Sequence, residues 1–412
     1  MDPIRNPYTP NAGARPLAIV GRDDQLQSFD ILLGRLQRGI SEQSMVITGL
    51  RGVGKTVLLG QFRRKALAAG WVVVELEARK HDDARFRSDV AGRMRTALFE
   101  LSPKAQWTDR MKRAAGALKS FSVQVDPSGS LNVGLSVDAI EGVADHGDLS
   151  LDMTDLLVAV GEAAHAQGKG VVILLDEIQF LNRSQLEAVI AAIHKTVQRE
   201  LPVTMVGAGL PQIAELAGDA KSYAERLFKF PRIGNLEPKD AKRALTEPAA
   251  GEGVTYSEEA LDLAVSITGG YPYFLQELGY AVWPLAEGNS IELADLERAL
   301  PIYESKLDSS FFRVRLDRAT ELQRAYLRAM AGLGSDPQKA SDVAEAMGRR
   351  SSQIAPTRAE LIAMGLLYTP DHGFAAFTVP HFDQFILRAM PTLQIPPIRG
   401  RNRHVKDNDN ED

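Results

Sequence analysis

The chain has 412 residues, enough for two or three domains each with its own core, and its 44 % apolar and 25 % charged residues are the proportions of an ordinary globular protein. With no cysteine, disulfides, thiolate metal sites and cysteine nucleophiles are excluded, and none of the seven histidines falls in a close-spaced ligand pattern, so a structural zinc is not expected. A net charge of −5 argues against holding a polyanion by bulk electrostatics, so any contact with nucleic acid needs a local basic patch.

The first eight residues (MDPIRNPY) lack the apolar core of a signal peptide, and no apolar run reaches membrane-spanning length, so the expectation is a cytoplasmic protein without a membrane segment. Residues 1–18 carry four prolines and read as an extended lead-in. Asp23 opens a helix to about Gly39, with Leu26, Phe29, Leu33 and Leu36 on one face. A buried strand at 45–48 then meets Gly49-Leu50-Arg51-Gly52-Val53-Gly54-Lys55-Thr56, the G-x-x-x-x-G-K-T spacing of a phosphate-binding loop, followed by a helix from Lys55 to Ala69. The glycines let successive N–H groups point at one anion, and the helix aims its positive dipole end at the same place. Lys55 would bridge the β- and γ-phosphates of ATP, and Thr56 would hold Mg²⁺.

A near-continuous apolar strand at 71–76, suited to a parallel sheet, and a helix at 85–101 follow. Residues 121–137 change to period two, with a turn at Asp126-Pro127-Ser128-Gly129, and predict a β-hairpin inserted in the α/β series. Helix 154–167, strand 171–175, helix 183–199 and strand 203–207 complete an alternation that indicates a parallel, doubly wound sheet. The strand at 171–175 ends in Asp176 and Glu177. Beside a phosphate loop, Asp176 would organise Mg²⁺ and Glu177 would act as general base on the attacking water; acids favouring a helix N-terminus are the alternative.

From Pro238 the strands stop, and 239–250, 257–268, 272–285 and 293–303 read as helices. Residues 319–379 read as helices at 321–330, 341–347 and 352–364, with a tight turn at Gly348-Arg349-Arg350, then a short hairpin through Asp371-His372-Gly373. Two helices across a tight turn followed by a β-wing is the pattern of a winged helix-turn-helix. Gln353, Thr357 and Arg358 would face a major groove, with Arg349 and Arg350 near phosphates. The tail 396–412 is polar and reads as disordered.

The phosphate loop, the paired carboxylates and their order resemble the AAA+ superfamily of P-loop ATPases over roughly residues 17–300. The resemblance implies a nucleotide-binding core (1–235), a helical lid (236–300) and a winged-helix domain (301–395), the last similar to that of archaeal and bacterial relatives of the origin-recognition initiators. It implies nucleotide contacts from Gly49, Arg51, Gly52, Val53, Gly54, Lys55, Thr56 and Val57, and from Val20 and Gly21 in Ile19-Val20-Gly21-Arg22-Asp23, which looks like the family's adenine-gripping box. Gly269-Gly270-Tyr271-Pro272 resembles the STAND branch, whose proline packs on the base, although proline in the first turn of a helix fits equally. Arg226 lies where the family places an arginine that reaches a neighbouring subunit's γ-phosphate; a surface arginine paired with Glu225 or Asp219 is the alternative. Two departures stand out. The lid carries Tyr271-Pro272-Tyr273 where many members have a sensing arginine, and the strand at 203–207 has no polar residue at its end, which leaves γ-phosphate sensing unassigned. The leading expectation is an ATP-hydrolysing switch acting on DNA; a signalling or defence ATPase that assembles with itself or binds a protein partner, and a chaperone-like partner for another protein, compete with it.

Overall fold

The computed structural model describes residues 1–397 except 12, 81, 124–134 and 136. The chain forms two compact units, Met1–Glu304 and Ser305–Asp412.

In the first unit, α1 (Asp23–Gln37) precedes β1 (Ser44–Thr48), α2 (Lys55–Ala68), β2 (Val72–Glu77), α3 (Asp83–Leu101), α4 (Asp109–Val123), α5 (Leu149–Ala166), β3 (Val171–Asp176), α6 (Arg183–Gln198), β4 (Val203–Gly209), α7 (Ile213–Ala220), α8 (Ala224–Leu227) and β5 (Phe228–Lys229). The five strands make one parallel sheet in the order β2-β3-β4-β1-β5. The connection β1→β2 runs one way across the sheet and β2→β3→β4 runs back, so right-handed crossovers put α2 on one face and the helices of the return path on the other. Every residue of β1 and β4 is buried, as strands covered on both faces require. Side-chain caps fix the helix starts on the return face: Asn182 and Gln185 form a capping box on α6, and Asp83 at the start of α3 accepts from Asn182, Ser184 and Gln185.

Two expectations need correction. The period-two reading fails where it begins: Phe121–Val123 is the last turn of α4, because Phe121 continues the buried face Met111, Ala114, Ala117, Leu118 at helical spacing. The rest of the predicted hairpin, apart from Leu135 and Val137, lies outside the described residues, as does nearly all of the predicted tail. Strands also do not end at 238, since β6 (Thr255–Tyr256) and β7 (Ser290–Ile291) pair in parallel.

Around that pair are α9 (Pro238–Gly251), α10 (Glu258–Thr268), α11 (Pro272–Val282) and α12 (Leu293–Lys306). The proline-rich lead-in is strapped to them: Tyr8 is 1 % exposed, the Trp283 indole donates to Asp2 O at 2.9 Å, and Asn6 donates to Tyr280 O at 3.0 Å.

The second unit has α13 (Arg313–Asp317), α14 (Glu321–Leu333), β8 (Gln338–Lys339), α15 (Ala340–Ala346), α16 (Ser351–Ala363), β9 (Leu367–Tyr368), β10 (Phe374–Phe377) and α17 (Phe382–Ala389). Its strands form an antiparallel sheet in the order β8-β10-β9. Phe312, Phe382 and Phe385 stack at centroid distances of 5.3–6.1 Å in its core. Among the described residues no helix is long and apolar enough to cross a membrane.

Candidate nucleotide site

Strand β1 delivers the chain into the glycine loop between two neighbours that fix its end. Thr48 N–H donates to Pro231 O at 2.9 Å, Ile233 N–H donates to Thr48 O at 2.8 Å, and Gly49 N–H donates to Gly209 O at 3.1 Å. A Cβ on Gly49 would stand 2.5 Å from Ile233 O, so only glycine fits there. Gly52 and Gly54 hold φ of +78° and +95°, the left-handed region that turns backbone N–H groups inward, and Gly54 opens α2.

Lys55 is 6 % exposed, and its ammonium donates to Gly49 O at 3.0 Å and Leu50 O at 2.8 Å. Burial pulls its pKa below the ordinary lysine value; Glu177 and Asp176 oppose that shift, and Arg51 adds to it. Arg51 Nε is buried with no acceptor among the described residues. A depressed ammonium turned onto loop carbonyls and an orphaned guanidinium N–H are both conditions that a bound phosphate would relieve, so the loop fits a nucleotide's phosphates. Thr56 is exposed and Val57 half-buried in the first turn of α2.

The parallel register of β3 brings its carboxylates to this loop. Thr56 Oγ1 donates to Asp176 Oδ2 at 2.6 Å, and Asp176 Oδ1 accepts Glu177 N–H at 2.8 Å. A hydroxyl and a carboxylate oxygen converging in this way are a hard-oxygen donor set that suits Mg²⁺. Burial raises the Asp176 pKa; the Thr56 hydroxyl and Glu177 N–H oppose the rise and the Glu177 charge adds to it. Glu177 adopts φ 53°, ψ 36°, a left-handed conformation that costs an L residue about 1–2 kcal/mol.

Val20 is buried, and Gly21 (φ +64°) packs so closely on α9 that a Cβ would lie 2.8 Å from Asp240 Oδ2. The residue after this pair, Arg22, reaches the loop itself: its guanidinium donates to Val53 O at 3.1 Å and Gly234 O at 2.6 Å. Burial lowers its pKa against the pull of Asp240. From the lid side, Pro272 heads α11, but Tyr271 is the residue that meets the loop, with its hydroxyl donating to Arg51 O. A Cβ at Gly52 would stand 2.4 Å from that hydroxyl. Leu236 N–H donates to Gly270 O at 2.8 Å and holds this turn in place. The motif reading gave no role to Arg22, Gln179 and Tyr271; each sits one or two residues from a motif position and has at least one partner remote in sequence.

Residues 18–206, from the Val20–Arg22 box into β4, match the family model described as an AAA ATPase domain. This stretch is therefore similar to an AAA ATPase domain. Residues 309–386 match a family model described as a domain of unknown function (DUF8462). The Walker-type ATPase PABY2304 of Pyrococcus abyssi is similar in structure, with a TM-score of 0.57 at 14 % identity over 90 % of this chain and 97 % of that one. Cdc6p from Pyrobaculum aerophilum aligns with a TM-score of 0.47 at 15 % identity, over 94 % of this chain and 97 % of that one. The Aeropyrum pernix ORC1 protein, in complex with DNA, aligns with a TM-score of 0.45 at 15 % identity, over 94 % of this chain and 96 % of that one. No curated protein matches the sequence.

Outside the matched stretch, Arg226 lies on α8 at the far end of the sheet from the phosphate loop. β5 pairs with β1 at Ser44↔Phe228, and Gln43 Nε2 donates to Arg226 O at 2.9 Å, whereas the loop begins after Thr48. The five residues of β1 separate the two levels by roughly 17 Å, beyond the reach of an arginine side chain. Arg226 is exposed, and no ion pair joins it to Glu225 or Asp219 among the described residues. In the C-terminal unit, Thr357 is 6 % exposed, which overturns its expected outward position: it lies on the inner face of α16 with Ile354 and Leu361. Arg349 donates to Pro396 O, Gln353 Oε1 caps its own helix by accepting Arg350 N–H, Arg358 is half-buried, and Arg350 is exposed.

Proposed function

We propose that the protein binds ATP and Mg²⁺ at the loop 49–56 and hydrolyses ATP as a conformational switch, with ADP as the other nucleotide state. The observation that carries this is the convergence of Lys55, Thr56, Asp176 and Glu177 at the ends of β1 and β3, the two strands that flank β4 in one parallel sheet. Lys55 leaves the loop carbonyls for the β- and γ-phosphates, and Gly49, Arg51, Gly52, Val53, Gly54 and Val57 line the phosphate cradle. Mg²⁺, held through Thr56 and Asp176, would neutralise charge on the phosphates. Glu177 accepts the proton of the attacking water, and its free oxygen and the water must lie within one hydrogen bond. Val20, Gly21 and Pro272 close on the base from the box and the lid. Arg226, too far from its own loop, serves the γ-phosphate of a second copy.

The test replaces the base. Glu177→Gln is expected to retain ATP while phosphate release falls by about 10²-fold or more, since an amide cannot accept the water's proton. Release at the wild-type rate would remove Glu177 from this role.

We read the C-terminal unit as a winged helix, with α15 and α16 as its helix-turn-helix and β9–β10 as its wing. A protein partner suits it better than duplex DNA. The outward face of α16 carries Ala355, Pro356, Ala359, Ala363 and the acid Glu360, whereas phosphate contact needs clustered cations. Fluorescence anisotropy on a mixed-sequence duplex should show no salt-dependent binding by the full chain. Binding with a slope of about 0.9 per phosphate contact, lost in Arg350→Glu/Arg358→Glu, would restore the DNA reading.

A further inference from the structure

The end of β4, where the sequence offers no polar side chain, is joined to Glu177 by another residue. Gln179 stands in the single 3₁₀ turn Ile178–Phe180 that follows β3. Its Nε2 donates to Glu177 Oε2, and its Oε1 accepts Leu210 N–H, the first amide past β4, at 3.1 Å. A side-chain amide is the group that can do both at once, because it carries a donor pair and an acceptor on one rigid plane. The two partners also fix which end is which: a carboxylate needs the NH₂ and a backbone N–H needs the oxygen.

The surroundings are built to admit this amide. A Cβ on Gly209 would lie 2.8 Å from Gln179 Oε1 and 2.7 Å from Ile178 Cγ2, so any side chain at the end of β4 would push the turn away. Gly209 in turn accepts Gly49 N–H from the first residue of the phosphate loop. A continuous path therefore runs from Gly49 through Gly209 and Leu210 to Gln179 and on to Glu177.

We infer that Gln179 is a positioning residue for ATP hydrolysis: it holds one oxygen of Glu177 so that the other faces the water, and it links that carboxylate to the β4 terminus and the phosphate loop. The inference rests on the reading of Glu177 as the general base. Gln179, a neutral amide, takes no proton itself. Its contribution is to the orientation of Glu177. Asp176 on β3 and Lys55 on α2 are unaltered when residue 179 alone is changed.

Two variants of the full chain test this, with ATP retention, kcat and KM for ATP measured on each. Gln179→Glu keeps the shape and the acceptor for Leu210 but sets a carboxylate oxygen against Glu177. It is expected to lower kcat by about 10- to 100-fold with KM for ATP within about 3-fold of wild type, because repulsion between the two carboxylates turns Glu177 from its place. Gln179→Ala removes both bonds and is expected to lower kcat at least about 10-fold, with ATP affinity within about 3-fold of wild type. Wild-type kcat in Gln179→Glu would overturn the proposal. So would loss of ATP retention in Gln179→Ala with normal turnover in Gln179→Glu, which marks a merely structural role. Glu177→Gln is run alongside: if it releases phosphate as wild type does, or if wild type releases none, the general-base reading falls and this inference falls with it. A dead Glu177→Gln beside unaffected Gln179 variants rejects the inference alone.

Discussion

Asp176 and Glu177 are adjacent carboxylates at the end of one strand, and the backbone separates their tasks. Asp176 ends β3 in extended geometry against Thr56, and Glu177 turns left-handed, so the two side chains serve different neighbours. Burial raises the Asp176 pKa, so the folded protein holds this proton more tightly than the unfolded chain does. The group therefore favours the folded state below the usual aspartate range, and that contribution is lost as pH rises through the raised value. A divalent cation on Asp176 competes with the same proton. The increase in melting temperature produced by Mg–ATP is thus expected to be larger near about pH 7.5 than near about pH 5, and Asp176→Asn should flatten the difference. Equal increases at both pH values in the wild type would remove Asp176 from the metal site.

Among the elements, the one least visible in the sequence is the strap formed by the first nine residues. The prolines of residues 1–18 predict an extended lead-in, but Pro3–Arg5 forms a 3₁₀ turn and side chains tie the segment down: the Tyr8 hydroxyl donates to Leu245 O at 2.7 Å, lies 2.7 Å from the Tyr256 hydroxyl, and its ring occupies the space a Cβ on Gly279 would need. Burial raises the Tyr8 phenol's pKa well above its usual value. Loss of this ring leaves a cavity bounded by α9 and α11, so Tyr8→Ala is expected to cost ~3–5 kcal/mol in denaturant unfolding, in the range of buried aromatic truncations. A loss below about 1 kcal/mol would show the strap to be a passive surface segment. Helix α4 escaped notice for a related reason. Phe121-Ser122-Val123 alternates in polarity like a strand, and only the buried row running back to Met111 reveals the helical period.

At the scale of the molecule, the sheet order decides what one copy can do alone. β5 lies beside β1 in parallel, which places Arg226 at the N-terminal edge of the sheet and the phosphate loop at the opposite edge. Arg226→Ala should therefore leave ATP affinity nearly unchanged and lower turnover only at protein concentrations where copies associate, by about 10-fold or more if the guanidinium meets a γ-phosphate. The measurement is kcat across a dilution series of wild type and variant. Turnover independent of both concentration and Arg226 would describe a switch that works as a monomer.

The phosphate loop, the carboxylate pair and the α/β alternation were legible in the sequence because each is local: glycine conformation, helix dipole and strand burial act over a few neighbouring residues. The reach of Arg22 and Tyr271 to the loop and the bridge from Gln179 to the end of β4 belong to the tertiary structure alone. Each depends on partners tens to hundreds of residues away, as with Tyr271 on Arg51 and Arg22 on Gly234. The strand order and the packing of α9 and α11 against the core bring such partners together, and no short stretch of sequence carries that information.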